Sequence, residues 1–282
     1  MSAVQERVKG VLWGLAYGDR IGGPVRMACV VAESLVARRA FDPADLLARY
    51  LAWWQGGGFD TGPTAAEVFE RLSQGWTVED AVPAVDRQTG GKTAGVNPAH
   101  RSAPLAMAAF LPDAALAEAA QAEARLTHAH PLAGDVAAAV VRLCRALIRG
   151  VPWEEALALA AAGRRSETQD ALHHHHDPAR LSRGGFAPEV LRAALYFLNH
   201  HADFPTAMAA AVRFAGGGNY CPILVGSIGG ARWGLPAVRR VGAFPHPALS
   251  STLSTLAEQL AATWHEPSQP TGAASLCPNS EP

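Results

Sequence analysis

The sequence predicts an all-α fold, a compact helical bundle, and three observations predict it. Alanine dominates the 282 residues and helix-favouring residues outweigh strand-favouring ones along nearly the whole length. Val/Ile runs with strict alternation, the mark of a half-buried strand, are scarce. Apolar residues make up 49% of the chain and are spread evenly with no linker-like interior stretch, so one domain over residues 1–266 is expected.

Taken in order, helical periodicity is clear at residues 3–17, 44–54, 64–72, 114–126, 134–148, 190–199, 205–215, 222–233 and 249–264, joined by short Gly/Pro turns. The first is a small-residue helix running into Gly18-Asp19 and a glycine turn. The third has Pro63 in its first turn, where a missing amide costs nothing. Asp113, Asp203 and Ser250 are placed to cap the helices that follow them, since a short side-chain acceptor satisfies a first-turn amide. In the segment 222–233, Gly226, Gly229 and Gly230 allow another backbone to approach closely. Residues 163–185, with Arg164, Arg165, His173 to His176 and Asp177-Pro178, read as an exposed loop. Four consecutive histidines on a loop do not converge on one ion. The tail after Pro267 lacks an apolar face and is expected to be disordered.

Charge and composition exclude several functions. A net charge of -1 and a pI of about 6.8 provide no long-range field for a polyanion, which argues against nucleic acid or an anionic membrane as partner. Cys29, Cys144, Cys221 and Cys277 show no CxxC pairing or metal-ligand spacing, pointing to a reducing compartment, with cytoplasm as the expectation. Glu6, Arg7 and Lys9 interrupt any secretory leader, and no apolar run reaches the roughly 18 residues of a membrane span.

Five blocks carry the candidate site. Gly10 to Pro24 (GVLWGLAYGDRIGGP) and Gly216 to Gly234 (GGGNYCPILVGSIGGARWG) each join a glycine turn to a small-residue helix, and a helix start is a ready site for an anion. Between them lie Phe59-Asp60-Thr61-Gly62-Pro63-Thr64, then Gly95 to Leu105 (GVNPAHRSAPL), then Leu126-Thr127-His128. In this order, over residues from about 8 to 240, they resemble the ADP-ribosylglycohydrolase family. The resemblance implies an orthogonal multi-helix bundle, with a pocket where the Gly22, Thr64, Asn97, His128 and Asn219 segments converge. It also implies hydrolysis of an N- or O-glycosidic bond at C1″ of ADP-ribose, with ADP-ribose or an ADP-ribosylated group as ligand. In the family two magnesium ions orient the ribose hydroxyls and an acidic residue activates water.

The acids depart from that pattern. The family's GGDTDT is matched by Gly217-Gly218-Asn219-Tyr220-Cys221, its glutamate after the first glycine turn by Arg26, and its Thr-Asp-Asp-Thr aspartates by Gly62 and Pro63. Asp19, Asp60, Thr61, Thr64 and Asn219 remain as oxygen donors, enough for one weakly held magnesium ion and too few for two, while Cys221 is soft where a hard ligand belongs. Asp60 is the candidate catalytic acid/base, or else a helix cap; Asp19 has the same two readings. Asn97, His100 and Arg101 are placed to contact ribose or phosphate, Arg101 alternatively pairing with a carboxylate such as Asp135 or Glu123. His128 is expected in the pocket and His130 in solvent. Tyr220 or Trp233 either stacks on adenine or packs in the core. Cys221, at a helix start where the macrodipole lowers a thiol pKa, is either a nucleophile or a buried packing residue. A module that binds ADP-ribose without turning it over is the alternative to a hydrolase.

Overall fold

The computed structural model describes residues 2–218 and 220–264. The predicted disordered tail and Asn219 lie outside them. In chain order the helices are α1 (Ala3–Gly18), α2 (Gly23–Arg38), α3 (Pro43–Gln55), α4 (Pro63–Ser73), α5 (Val78–Gln88), α6 (Asn97–Arg101), α7 (Pro104–Met107), α8 (Leu116–Arg125), α9 (Pro131–Ile148), α10 (Trp153–Ala161), α11 (Ser166–His173), α12 (Ala187–His200), α13 (Phe204–Ala215), α14 (Tyr220–Val238) and α15 (Ser250–Ala261). The all-α expectation holds. An isolated antiparallel bridge joins Gly95 to Phe186 and pins the strand-like approach to α6.

Packing is organised by one central helix and one close helix pair. α9 is apolar nearly all round and buried along almost its whole length, as a core helix must be. α1 and α14 meet backbone to backbone: a Cβ on Gly14 would lie 2.1 Å from the Gly226 carbonyl oxygen, one on Gly230 1.9 Å from that of Gly10, and one on Gly18 2.1 Å from that of Pro222. The two glycine-rich blocks of the sequence are therefore partners, and their contact places the end of α1 beside the start of α14. α14 breaks at Gly234, where φ is 78° and ψ 169°, ahead of Pro236.

Four helices of eight or more residues were not expected from periodicity. α2 starts at Gly-Gly-Pro, which reads as a turn, but Pro24 sits in its first turn and the Asp19 carboxylate satisfies its leading amides. α5 contains Pro83, and its start is set by Thr77, whose hydroxyl accepts from the Asp80 amide at 3.2 Å. α10 is short. α11 overturns the loop reading of residues 163–185: Thr168, Ala171, Leu172 and His175 are buried, and Asp170 gathers His174 at 2.7 Å, Arg180 at 2.5 Å and Arg192 at 2.5 Å. Those partners, the Arg180 hydrogen bond first, hold the Asp170 carboxyl down at about 2.

Asp203 caps α13 as expected, accepting from Thr206. Ser250 is already the first residue of α15, and Asp113 instead binds Arg145 and Arg149. His130, expected in solvent, caps α9 by accepting the Leu132 amide at Nδ1, 3.2 Å away. Among the described residues, no helix is long and apolar enough to cross a membrane.

Candidate functional site

Two carboxylates meet at the start of α2. Asp19 ends α1 and is fully buried; its Oδ1 accepts from the amides of Ile21 at 3.1 Å and Gly22 at 2.8 Å, and its Oδ2 from that of Val25 at 2.8 Å. Of its two readings, the cap is the one the geometry supports. His246 is hydrogen-bonded through Nε2 to the Asp19 carbonyl, and the Arg20 guanidinium donates to the carbonyls of Gly216, at 2.8 Å, and Gly218. This ties the first glycine turn to the one before α14. Neither His246 nor Arg20 carried a signal in the sequence.

Asp60 approaches the same helix start from another segment. Its φ of 54° lies in the left-handed region, uncommon for a residue with a Cβ, so the surrounding chain holds it there. Gly23 makes the approach possible, since a Cβ on it would lie 2.3 Å from the Phe59 carbonyl oxygen and 2.7 Å from Asp60 Cβ. The Gly23 amide hydrogen-bonds Asp60 and draws its pKa down, but burial, and then the nearby Asp19, push it up further. Oδ2 is buried with no hydrogen-bond partner. Asp60 does not cap α4, whose N-cap is Gly62 with no side-chain bond.

The other predicted residues divide into those beside Asp60 and those behind it. Thr61 is buried and donates to the Gly62 carbonyl at 3.3 Å, and Thr64 is half-buried in the first turn of α4. Asn97 is pressed against this turn: a Cβ on Gly62 would meet its Oδ1 at 2.6 Å. His128 Nε2 lies on the same side, 3.4 Å from where a Cβ on Gly95 would stand, with Asn97 Oδ1 3.7 Å from that point. A cavity of about 350 Å³ opens beside Gly95, lined by Lys92, Ala94, His130, Gly185 and Phe186. Tyr220, 38% exposed, packs its ring over Gly185.

Behind them, His100 is buried and donates through Nε2 to the Tyr220 carbonyl at 2.9 Å, tying α6 to α14. Burial pushes its pKa down to about 4 against the opposing pull of that hydrogen bond and of Asp19. Arg101 is only 1% exposed and is spent internally, pairing with Glu123 Oε1 at 2.5 Å and donating to Thr127 Oγ1 at 2.7 Å, so it does not reach a phosphate. The Glu123 alternative is the observed one; Asp135 binds Arg164 instead, at 3.2 Å. Cys221 corrects the dipole argument, because burial, the largest cause, pushes its thiol up to about 12 and outweighs the helix start. Trp233 packs edge-on against Phe204, 6.3 Å between centroids, which is the core reading.

The donors do not fit a two-magnesium centre. Both Asp19 oxygens are taken by amides, Asp60 offers one uncommitted oxygen, and no group of three or more His, Cys, Asp or Glu among the described residues could hold a metal ion. Magnesium needs near-octahedral oxygen ligation.

The described residues form an all-helical scaffold whose polar groups gather where helices begin. The ADP-ribosylglycohydrolase family model matches residues 25–270, and the chain belongs to that family. It is similar to ADP-ribosyl-[dinitrogen reductase] glycohydrolase of Rhodospirillum rubrum, 22% identical over 236 residues, covering 82% of this chain and 75% of that one. A solved ADP-ribosylglycohydrolase-related protein complex superposes with a TM-score of 0.75 at 25% identity, over 93% of this chain and 99% of that chain.

Proposed function

We propose that this chain hydrolyses the glycosidic bond joining ADP-ribose to a protein side chain or small-molecule group, in a metal-poor site where Asp60 activates water. Family membership supports glycosidic hydrolysis in general. The observation that carries the finer reading is Asp60 Oδ2, buried and uncommitted on a carboxyl whose pKa burial has raised. Raised basicity strengthens its pull on a water proton. The water oxygen bonds to ribose C1″ as the C1″–N or C1″–O bond to the aglycone breaks. The water's proton passes to Asp60 Oδ2, and the bonding pair leaves with the aglycone, which takes a proton from solvent. Asn97, pressed against the Gly62 turn that follows Asp60, stands beside the approach.

A binding module without turnover is favoured by a different observation: amides occupy both Asp19 oxygens, so no second carboxylate stands ready to protonate the leaving group. An arginine-linked ADP-ribose conjugate incubated with magnesium or with EDTA separates the readings. Release that survives EDTA and falls at least about 100-fold in Asp60→Asn supports the hydrolase. Release abolished by EDTA overturns the metal-poor site, full turnover in Asp60→Asn overturns the role of Asp60, and binding of ADP-ribose without release selects the module.

A further inference from the structure

Behind the site runs a buried chain of hydrogen bonds whose direction can be read from donor chemistry. Glu123, 0% exposed, accepts from Arg101 Nε at 2.5 Å and from the Tyr50 hydroxyl at 2.8 Å. Arg101 is a donor only, so at Thr127 Oγ1, 2.7 Å from its Nη2, the hydroxyl oxygen accepts. The other partner of Thr127 Oγ1 is His128 Nδ1, at 2.8 Å. Thr127 is 0% exposed, and its one hydroxyl proton has Nδ1 as its acceptor. Were Nδ1 protonated, it would donate to Thr127 and leave that hydroxyl proton buried without a partner, the arrangement proteins avoid. Nδ1 therefore carries the lone pair and Nε2 the proton.

The doubly protonated form is excluded by the same neighbours. Burial, then the Arg101 charge, push His128 down to about 3. At neutral pH the ring is a fixed neutral donor whose Nε2–H lies over Gly95 beside Asn97 Oδ1. A Cβ at Gly95 would touch Nε2 in ordinary van der Waals contact at 3.4 Å, so glycine leaves that nitrogen uncovered on this side.

We propose that Arg101 and Thr127 are positioning residues that lock His128 as an Nε2–H donor, and that this donor, with Asn97 beside it, takes a sugar hydroxyl of the ligand. The ligand half rests on the ADP-ribose reading above; the tautomer half does not. A protonated Nε2 has no lone pair for a cation, so this position recognises an acceptor oxygen.

The test uses the full chain with ¹⁵N-labelled histidine and two readouts. Long-range ¹H–¹⁵N correlation at neutral pH should show a bare Nδ1 and a protonated Nε2 at His128, and calorimetry should show ADP-ribose binding. Thr127→Val keeps the shape and removes the hydroxyl; it should release the tautomer bias and weaken ADP-ribose binding by about tenfold, and Thr127→Ser should restore both. A protonated Nδ1 in the parent protein, or a Thr127→Val variant unchanged in both readouts, overturns the proposal. The expected tautomer in a protein that does not bind ADP-ribose overturns the ligand half together with the functional reading, and leaves the lock upheld.

Discussion

Acidification from pH 7 to pH 5 should destabilise the fold through two histidines that the folded chain keeps neutral. His100 is 3% exposed and held down at about 4, and His128 is 2% exposed and held down at about 3, both chiefly by burial. In the unfolded chain each returns to an ordinary pKa of about 6.5 and binds a proton across this window, whereas the folded chain does not. Stability must therefore fall as pH falls below about 6.5, and keep falling until the folded pKa values are reached. At pH 5 each ring lies about 1.5 units below its unfolded pKa, and at about 1.36 kcal/mol per unit this costs about 2 kcal/mol per histidine. The pair costs about 4 kcal/mol, a large share of a typical folding stability of about 5–15 kcal/mol. Asp60 and Glu33 oppose it, because their raised pKa values make acid favour the folded state, so the net loss is smaller. Urea unfolding at pH 7 and 5 measures it; with an m-value of about 3 kcal/mol per M the histidine pair alone moves the midpoint by about 1 M. His175, also lowered by burial, adds in the same direction, so the double variant His100→Asn/His128→Asn should lose most but not all of the pH dependence. An unchanged midpoint in the parent protein between pH 7 and 5, or a double variant as acid-sensitive as the parent, would refute the burial argument.

Two further outcomes follow from packing. Gly226→Val should lower stability by at least about 3 kcal/mol or abolish folding, because its Cβ would stand 2.1 Å from the Gly14 carbonyl oxygen, whereas Gly217→Ala, with nothing within 4 Å, should leave the melting temperature nearly unchanged; equal melting temperatures for the two would contradict the close helix pair. Cys221, buried and pushed up to about 12, should resist iodoacetamide at pH 8 in the folded protein and react once denaturant exposes it, which peptide mapping would show; rapid native alkylation there would revive the thiolate reading.

The helical class was legible because alanine content and periodicity act locally, and a close backbone approach was legible at Gly226 and Gly230, though not that α1 is the partner; Gly229 instead meets the side chains of Phe204 and Leu198. What escaped were helices whose starts depend on a distant or unusual group. α2 looks like a turn until the Asp19 carboxylate is seen satisfying the amides of Gly22 and Val25, and α5 is hidden by Pro83. α11 was hidden by its run of charge and histidine, since the burial of His175 and the gathering of His174, Arg180 and Arg192 on Asp170 are tertiary facts.

The site was legible as a set of positions more than as a set of roles, and burial explains the difference. Arg101 and His100 have residue types suited to an anion, and a sequence cannot show that Glu123 and the Tyr220 carbonyl engage them from elements far along the chain. Once engaged they are too costly to withdraw: breaking a buried pair such as Arg101–Glu123 leaves an uncompensated charge, at a cost of about 3–5 kcal/mol. Such residues shape a site by being rigid. Under the proposed function, the work of meeting a ligand falls to groups with an atom to spare. Asp60 Oδ2 has no hydrogen-bond partner, His128 Nε2 stands over an open glycine, and Tyr220 is exposed at the rim. Asp60 also holds a positive φ, a conformation aspartate adopts more readily than most residues, and the absence of a side chain on Gly23 leaves room for its approach to α2.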